Sequence, residues 1–64
     1  MKYIKMTELV KGDIFCEEMK LKGRKAFLVV DIVAETIISQ DRDTSSIVEK
    51  KMKGSVALLK HIDI

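Results

Sequence analysis

The stretch Arg24-Lys25-Ala26-Phe27-Leu28-Val29-Val30-Asp31-Ile32-Val33-Ala34 restricts the fold more than any other part of the chain. β-Branched residues crowd it and no apolar stripe recurs at helical spacing, so it reads as one long strand. On strict alternation Leu28, Val30 and Ile32 point to one side, and Phe27, Val29 and Val33 to the other, with Asp31 interrupting the second set. A strand that is apolar on both sides has to be covered on both. The chain's own termini and a bent sheet can supply the second cover. So can a partner, most simply a second copy of the chain. Asp31 in such a seam needs a basic partner or a place at the rim, because an unpaired buried charge is costly.

The flanking sequence supplies strands for this one to pair with. Lys20-Leu21-Lys22-Gly23 reads as a hairpin tip, with Asp13 to Met19 as the preceding strand. Thr36 to Gln40 is the next short strand, turned at Asp41-Arg42-Asp43-Thr44-Ser45, and Ser55 to Ile62 is the last, after Lys53-Gly54. Thr7-Glu8-Leu9-Val10-Lys11-Gly12 offers a capping threonine and a terminal glycine, enough for a single helical turn. The segment from Ile47 to Met52 has two readings. As a strand it pairs with the final strand through the Lys53-Gly54 turn, and this reading is preferred. As a helix it would start at the capping box Ser46-Ile47-Val48-Glu49 and stop at Gly54. The fold class expected is mainly β, one domain spanning residues 1–64, with about five short antiparallel strands and one short helix or helical turn at most. A small, strongly bent barrel suits such a set, because closure removes exposed sheet edges.

A chain of 64 residues buries only part of its surface, and disulfides, a metal or self-association are the usual supports. Cys16 is the only cysteine and His61 the only histidine, so an intrachain disulfide and a Cys/His zinc site are both excluded. An economical fold or an oligomer remains. With Tyr3, Phe15 and Phe27 as the only aromatics, the core has to be aliphatic. A lone thiol fits a reducing cytoplasm, and no apolar run approaches the ~18 residues of a membrane span. The opening Met1-Lys2-Tyr3-Ile4-Lys5 has no signal-peptide core. A cytoplasmic location without membrane association is the expectation.

The segment Leu9-Val10-Lys11-Gly12-Asp13-Ile14-Phe15, followed by Gly23-Arg24-Lys25-Ala26-Phe27-Leu28-Val29, resembles the start of many small SH3-like barrel proteins of the phage and prophage type. The Gly12-Asp13 turn would lead into the first barrel strand and Gly23-Arg24 would open the second. The resemblance covers about the first half of the chain. It implies an SH3-like barrel and an accessory or inhibitor role in which the protein occupies a host or defence component. It brings no catalytic residues.

The chemistry-bearing residues do not assemble into a known reactive set. Serine, histidine and aspartate all occur, but no Gly-x-Ser-x-Gly elbow does, and His61 reads as a partly exposed residue of the last strand. Cys16 reads as a small buried hydrophobe. Asp41-x-Asp43-x-Ser45 has the spacing of the first calcium-loop ligands, yet Ser46 stands where the loop needs glycine and Met52 where it needs glutamate. A polar turn, its aspartates accepting from nearby amides, is the better reading. No enzymatic activity, metal or cofactor is expected.

Binding remains. The partner-contact face is expected at Phe27, Val29, Asp31 and Val33. Two basic clusters, Lys20, Lys22, Arg24 and Lys25, and Lys50, Lys51 and Lys53, could steer an acidic protein or hold an anionic nucleotide between two copies. The alternative is an auxiliary protein that grips a nucleic-acid backbone through both clusters. A net charge of +2 is modest for that role, and scarce aromatics weigh against base stacking and against a proline-rich-peptide groove.

Overall fold

The computed structural model describes residues 2–17 and 25–61. Six strands form one sheet: β1 (Lys2–Lys5), β2 (Ile14–Glu17), β3 (Ala26–Val33), β4 (Thr36–Asp41), β5 (Ile47–Lys51) and β6 (Ser55–Lys60). Their order across the sheet is β1-β6-β2-β3-β4-β5, and every neighbouring pair is antiparallel. The mainly β expectation therefore holds, with one strand more than anticipated. The sheet does not close, so two edges remain, β1 and β5, where a closed barrel would have none. The hairpin tip expected at Lys20–Gly23 lies outside the described residues.

The segment at 47–52, open to two readings from sequence, is a strand, but it pairs with β4 and not, as expected, with the final strand, which lies between β1 and β2. Ile47 is exposed, Val48 half-buried, Glu49 exposed, Lys50 half-buried and Lys51 exposed, and this period of two suits a strand laid against one core face. The helical turn near the start begins two residues earlier than expected, with its cap at Lys5 and not at Thr7. It is a 3-10 turn over Met6–Glu8, capped by Lys5 with no side-chain bond, so Thr7 does not cap it. Gly12 does not end that turn either. It adopts φ 94°, a left-handed conformation open to glycine, and swings the chain into β2 while its N–H donates to Val29 C=O at 2.9 Å.

One face of the sheet carries the core. Ile4, Met6, Leu9, Phe15, Phe27, Val29, Ile37 and Val56 form the buried cluster, with Ile32, Val48, Met52 and Leu58 packed against it. Residues from all six strands converge there, which requires the sheet to curl around them. The Lys50 ammonium donates to Glu17, linking β5 to β2 across the concave side. In a flat sheet those strands would lie about 14 Å apart. Lys50 Nζ also sits 4.6 Å from the centroid of the Phe27 ring, a cation-π contact that places the charge over an aromatic face. Phe27 in turn stacks on Phe15 at 5.7 Å between centroids.

A bulge in β3 resets the alternation. The pairing of β3 with β4 slips between Val29 and Asp31, so Phe27, Val29 and Ile32 all face the core. The strict alternation that put Val29 opposite Ile32 is therefore corrected: Phe27 and Val29 are buried, and it is this chain's own core that covers them. Asp31 is half-buried and its Oδ1 accepts the Ile32 N–H at 2.8 Å, and among the described residues it forms no ion pair.

Candidate functional site

Residues directly opposite one another on antiparallel strands share a face. The core residues fix one face as inner, and the register then assigns the outer one. Leu28 of β3 lies opposite Gln40 of β4, which lies opposite Ile47 of β5, while Ile38 lies opposite both Asp31 and Glu49. Ile14 of β2 continues the first row beside Leu28. The outer face thus collects Ile14, Leu28, Ile38 and Ile47. Val30, left without a partner by the bulge, joins them. Ile47, at the start of β5, is 58% exposed, and Val30, in the middle of β3, is 40% exposed. Val33, also exposed, closes the far end of β3.

The four residues expected from sequence to make the contact face are divided by this arrangement. Phe27 and Val29 belong to the core, whereas Asp31 and Val33 lie toward the outer side. Leu28, Val30, Ile38 and Ile47 were not anticipated. Alternation grouped the first two correctly, but the contact face was expected on the other side of β3. Ile47 could have been found from its alternation with Glu49 and Lys51, since a residue in phase with two charges faces water.

The basic clusters also divide. Lys20, Lys22 and Arg24 lie outside the described residues. Lys25 approaches Asp41 at 3.6 Å and Lys50 is committed to Glu17, so both serve ion pairs within the chain. Lys51 and Lys53 are exposed and have no ion pair among the described residues. Together with Ala34, Glu35, Thr36 and Met52 they line an open depression of about 670 Å³ between the ends of β3, β4 and β5. Lys60 lies opposite Ile14 and is likewise exposed. The outer face therefore has apolar residues at its centre, Asp31 and Glu49 on either side of Ile38, and the exposed Lys51, Lys53 and Lys60 toward its margins.

Two aspartates do structural work away from this face. Asp13 is fully buried. Its Oδ2 accepts the Val10 N–H at 3.0 Å, and its Oδ1 lies 3.0 Å from His61 Nδ1. This contact joins the chain after β6 to the start of β2, which gives His61 a packing role that the sequence did not reveal. Cys16 is buried opposite Ala26 and Ala57, as expected of a small hydrophobe. Among the described residues no group of three or more His, Cys, Asp or Glu side chains is arranged to hold a metal ion. Among the described residues no helix is long and apolar enough to cross a membrane.

Asp41 ends β4 and organises the turn that follows. Its Oδ1 accepts the N–H groups of Asp43 at 2.8 Å and Thr44 at 3.2 Å. The Asp43 amide holds the carboxyl below the usual carboxylate range. Burial opposes this, and the Thr44 amide and the Lys25 ammonium add to the lowering. A pKa lower in the folded than in the unfolded chain means that the folded state resists protonation. The resulting stabilisation is complete above the unfolded carboxylate value of about 4 and is lost as pH falls through the folded value. Asp41→Asn should therefore flatten the acid limb of the stability curve. Urea midpoints at neutral pH and at about pH 3 measure this, and parallel losses in wild type and variant would contradict it.

No family model, no curated protein and no solved structure matches this chain.

Proposed function

We propose that this protein is a non-catalytic binding module that holds a protein partner against the outer face of β3, β4 and β5. The observation that carries the reading is the grouping of Leu28, Val30, Ile38 and Ile47 on one side of the sheet, with Val30 and Ile47 well exposed. Contiguous exposed apolar side chains rimmed by polar groups favour association with a complementary surface. The partner that fits has an apolar centre and acidic groups positioned to meet Lys51, Lys53 and Lys60. Pairing of the exposed lysines with those acids would speed encounter, while the apolar centre would supply most of the affinity.

The strand order β6-β2-β3-β4-β5 supports reading the curled sheet as an SH3-like barrel to which β1 is added beside β6. In the accessory or inhibitor role that the resemblance implies, occupying the partner is itself the activity. Two of the lysines that a nucleic-acid-backbone binder would need, Lys25 and Lys50, are paired within the chain, which favours the protein-binding reading over that one.

The test begins with the partner recovered from the native host on immobilised protein, followed by affinity measurements with that purified partner. Ile38→Asp and Ile47→Asp should each weaken binding on the order of tenfold or more, in line with truncation at an interface centre. Both variants should keep the β-rich circular dichroism spectrum of the wild type. Undiminished affinity in both would overturn the assignment of this face. So would recovery of nucleic acid alone, bound with a steep inverse dependence on salt.

A further inference from the structure

The open sheet leaves two strand edges, and they differ in what they can accept. Backbone bonds run from the Asp41 N–H to Ser46 C=O at 2.8 Å and from the Met52 N–H to Glu35 C=O at 2.9 Å, at the two ends of the β4–β5 ladder. The register between them is unbroken, so the hydrogen-bonded rungs alternate through Ser39/Val48 and Ile37/Lys50. Ile47, Glu49 and Lys51 consequently turn their N–H and C=O groups away from β4, along the open edge. Proline, bulges and inward-pointing charges are the usual protections of such an edge. β5 has no proline and no bulge, and its inward charge, Lys50, is already engaged by Glu17.

The charges on β5 are complementary to a second β5. An antiparallel pair related by a two-fold axis through Lys50 sets Glu49 of each copy opposite Lys51 of the other, on rungs where both residues offer backbone groups. Val48 then faces Met52, and Ile47 faces Lys53. The two Lys50 side chains meet at the axis, where each is held by its own Glu17. An axis through Glu49 would oppose two glutamates, and one through Val48 would set Glu49 against Ile47. An axis through Lys51 would set Glu49 against Lys53 but oppose two exposed Lys51 side chains, so the Lys50 register alone matches opposite charges without an uncompensated like pair. β1 offers no such match: its charged residues are Lys2 and Lys5, and it has no acidic one.

We propose that two copies of this chain pair through their β5 edges, antiparallel and in register about Lys50, to give one sheet continuous across the dimer. The contact lies in the plane of the sheet and leaves both outer faces open, so it stands whether or not those faces bind a partner. It also supplies the association that so small a domain lacks.

Sedimentation of the full-length protein at micromolar concentration tests this. The expected mass is twice the 7.3 kDa of one chain. Glu49→Lys and Lys51→Glu should each raise the dimer dissociation constant on the order of tenfold, since each replaces two opposed charge pairs by like charges. An equimolar mixture of the two variants should recover the dimer, because lysines at 49 and 51 of one copy then face glutamates of the other. The exchanged double variant Glu49→Lys/Lys51→Glu should also recover it. Circular dichroism checks that each variant is folded. A wild-type monomer at every concentration would overturn the proposal, as would a dimer indifferent to these changes. Open-ended polymers would overturn it too, because they would require β5 to pair with β1.

Discussion

Replacing Phe15 by alanine is expected to leave most molecules unfolded at room temperature. Phe15 is 0% exposed and lies on β2, between β6 and β3, in the middle of the sheet order. Its ring stacks on Phe27, the only other phenylalanine in the chain, at an interplanar angle of 28°. Truncating a buried phenylalanine to alanine costs about 3–5 kcal/mol, from lost transfer energy and from the cavity left behind. A domain of this length has a total stability of roughly 3–10 kcal/mol at the usual per-residue values. The loss is therefore comparable to everything that holds the fold together. Phe15→Leu keeps most of the volume and should remain folded, with a urea midpoint lowered by about 1 M at a typical slope. Wild-type-like cooperative unfolding of Phe15→Ala would show that the core is not organised around this pair.

The Phe15–Phe27 pair also shows how far the sequence could be read. Scarce aromatics pointed to an aliphatic core, and most of the cluster is aliphatic, but the two phenylalanines sit together at its centre with Lys50 above one of them. The strands themselves were legible wherever β-branched residues run between turn formers, as in β3, β4 and β6. Long-range pairing was not. Whether β1 exists depends on β6 offering it an edge, and Lys2–Lys5 is too short to announce itself. The same holds for Asp13 and His61, which meet only because the end of β6 returns to the start of β2. Of the candidate contact face, Ile47 was readable from local alternation, whereas Val30 was not, because both sides of β3 are apolar and only its pairing with β2 and β4 decides which side faces the core.

Adjacent valines on β3 point to opposite sides of the sheet and should meet opposite fates under the same substitution. Val29 is 2% exposed, faces the core, and has its N–H and C=O bonded to Asp13 and Gly12 at 2.9 Å each. Val30 follows it in sequence, is left unpaired by the slip in register, and is 40% exposed. Val29→Glu inserts a carboxylate among Phe15, Phe27 and Ile37, where burial without a partner costs several kcal/mol whether the group stays charged or takes up a proton. The variant should lack a cooperative urea transition. Val30→Glu places its charge in water and should shift stability by only about 0.5 kcal/mol in either direction. It should nonetheless weaken partner binding, because Val30 lies within the proposed contact face. Strict alternation along β3 already sets Val29 and Val30 on opposite sides; the pairing with β2 and β4 decides that Val29 is the one that faces the core. Equal stability of the two variants would mean that Val30 is as fully covered in solution as Val29. The outer face would then lose Val30, and with it the exposed centre on which binding is proposed to depend.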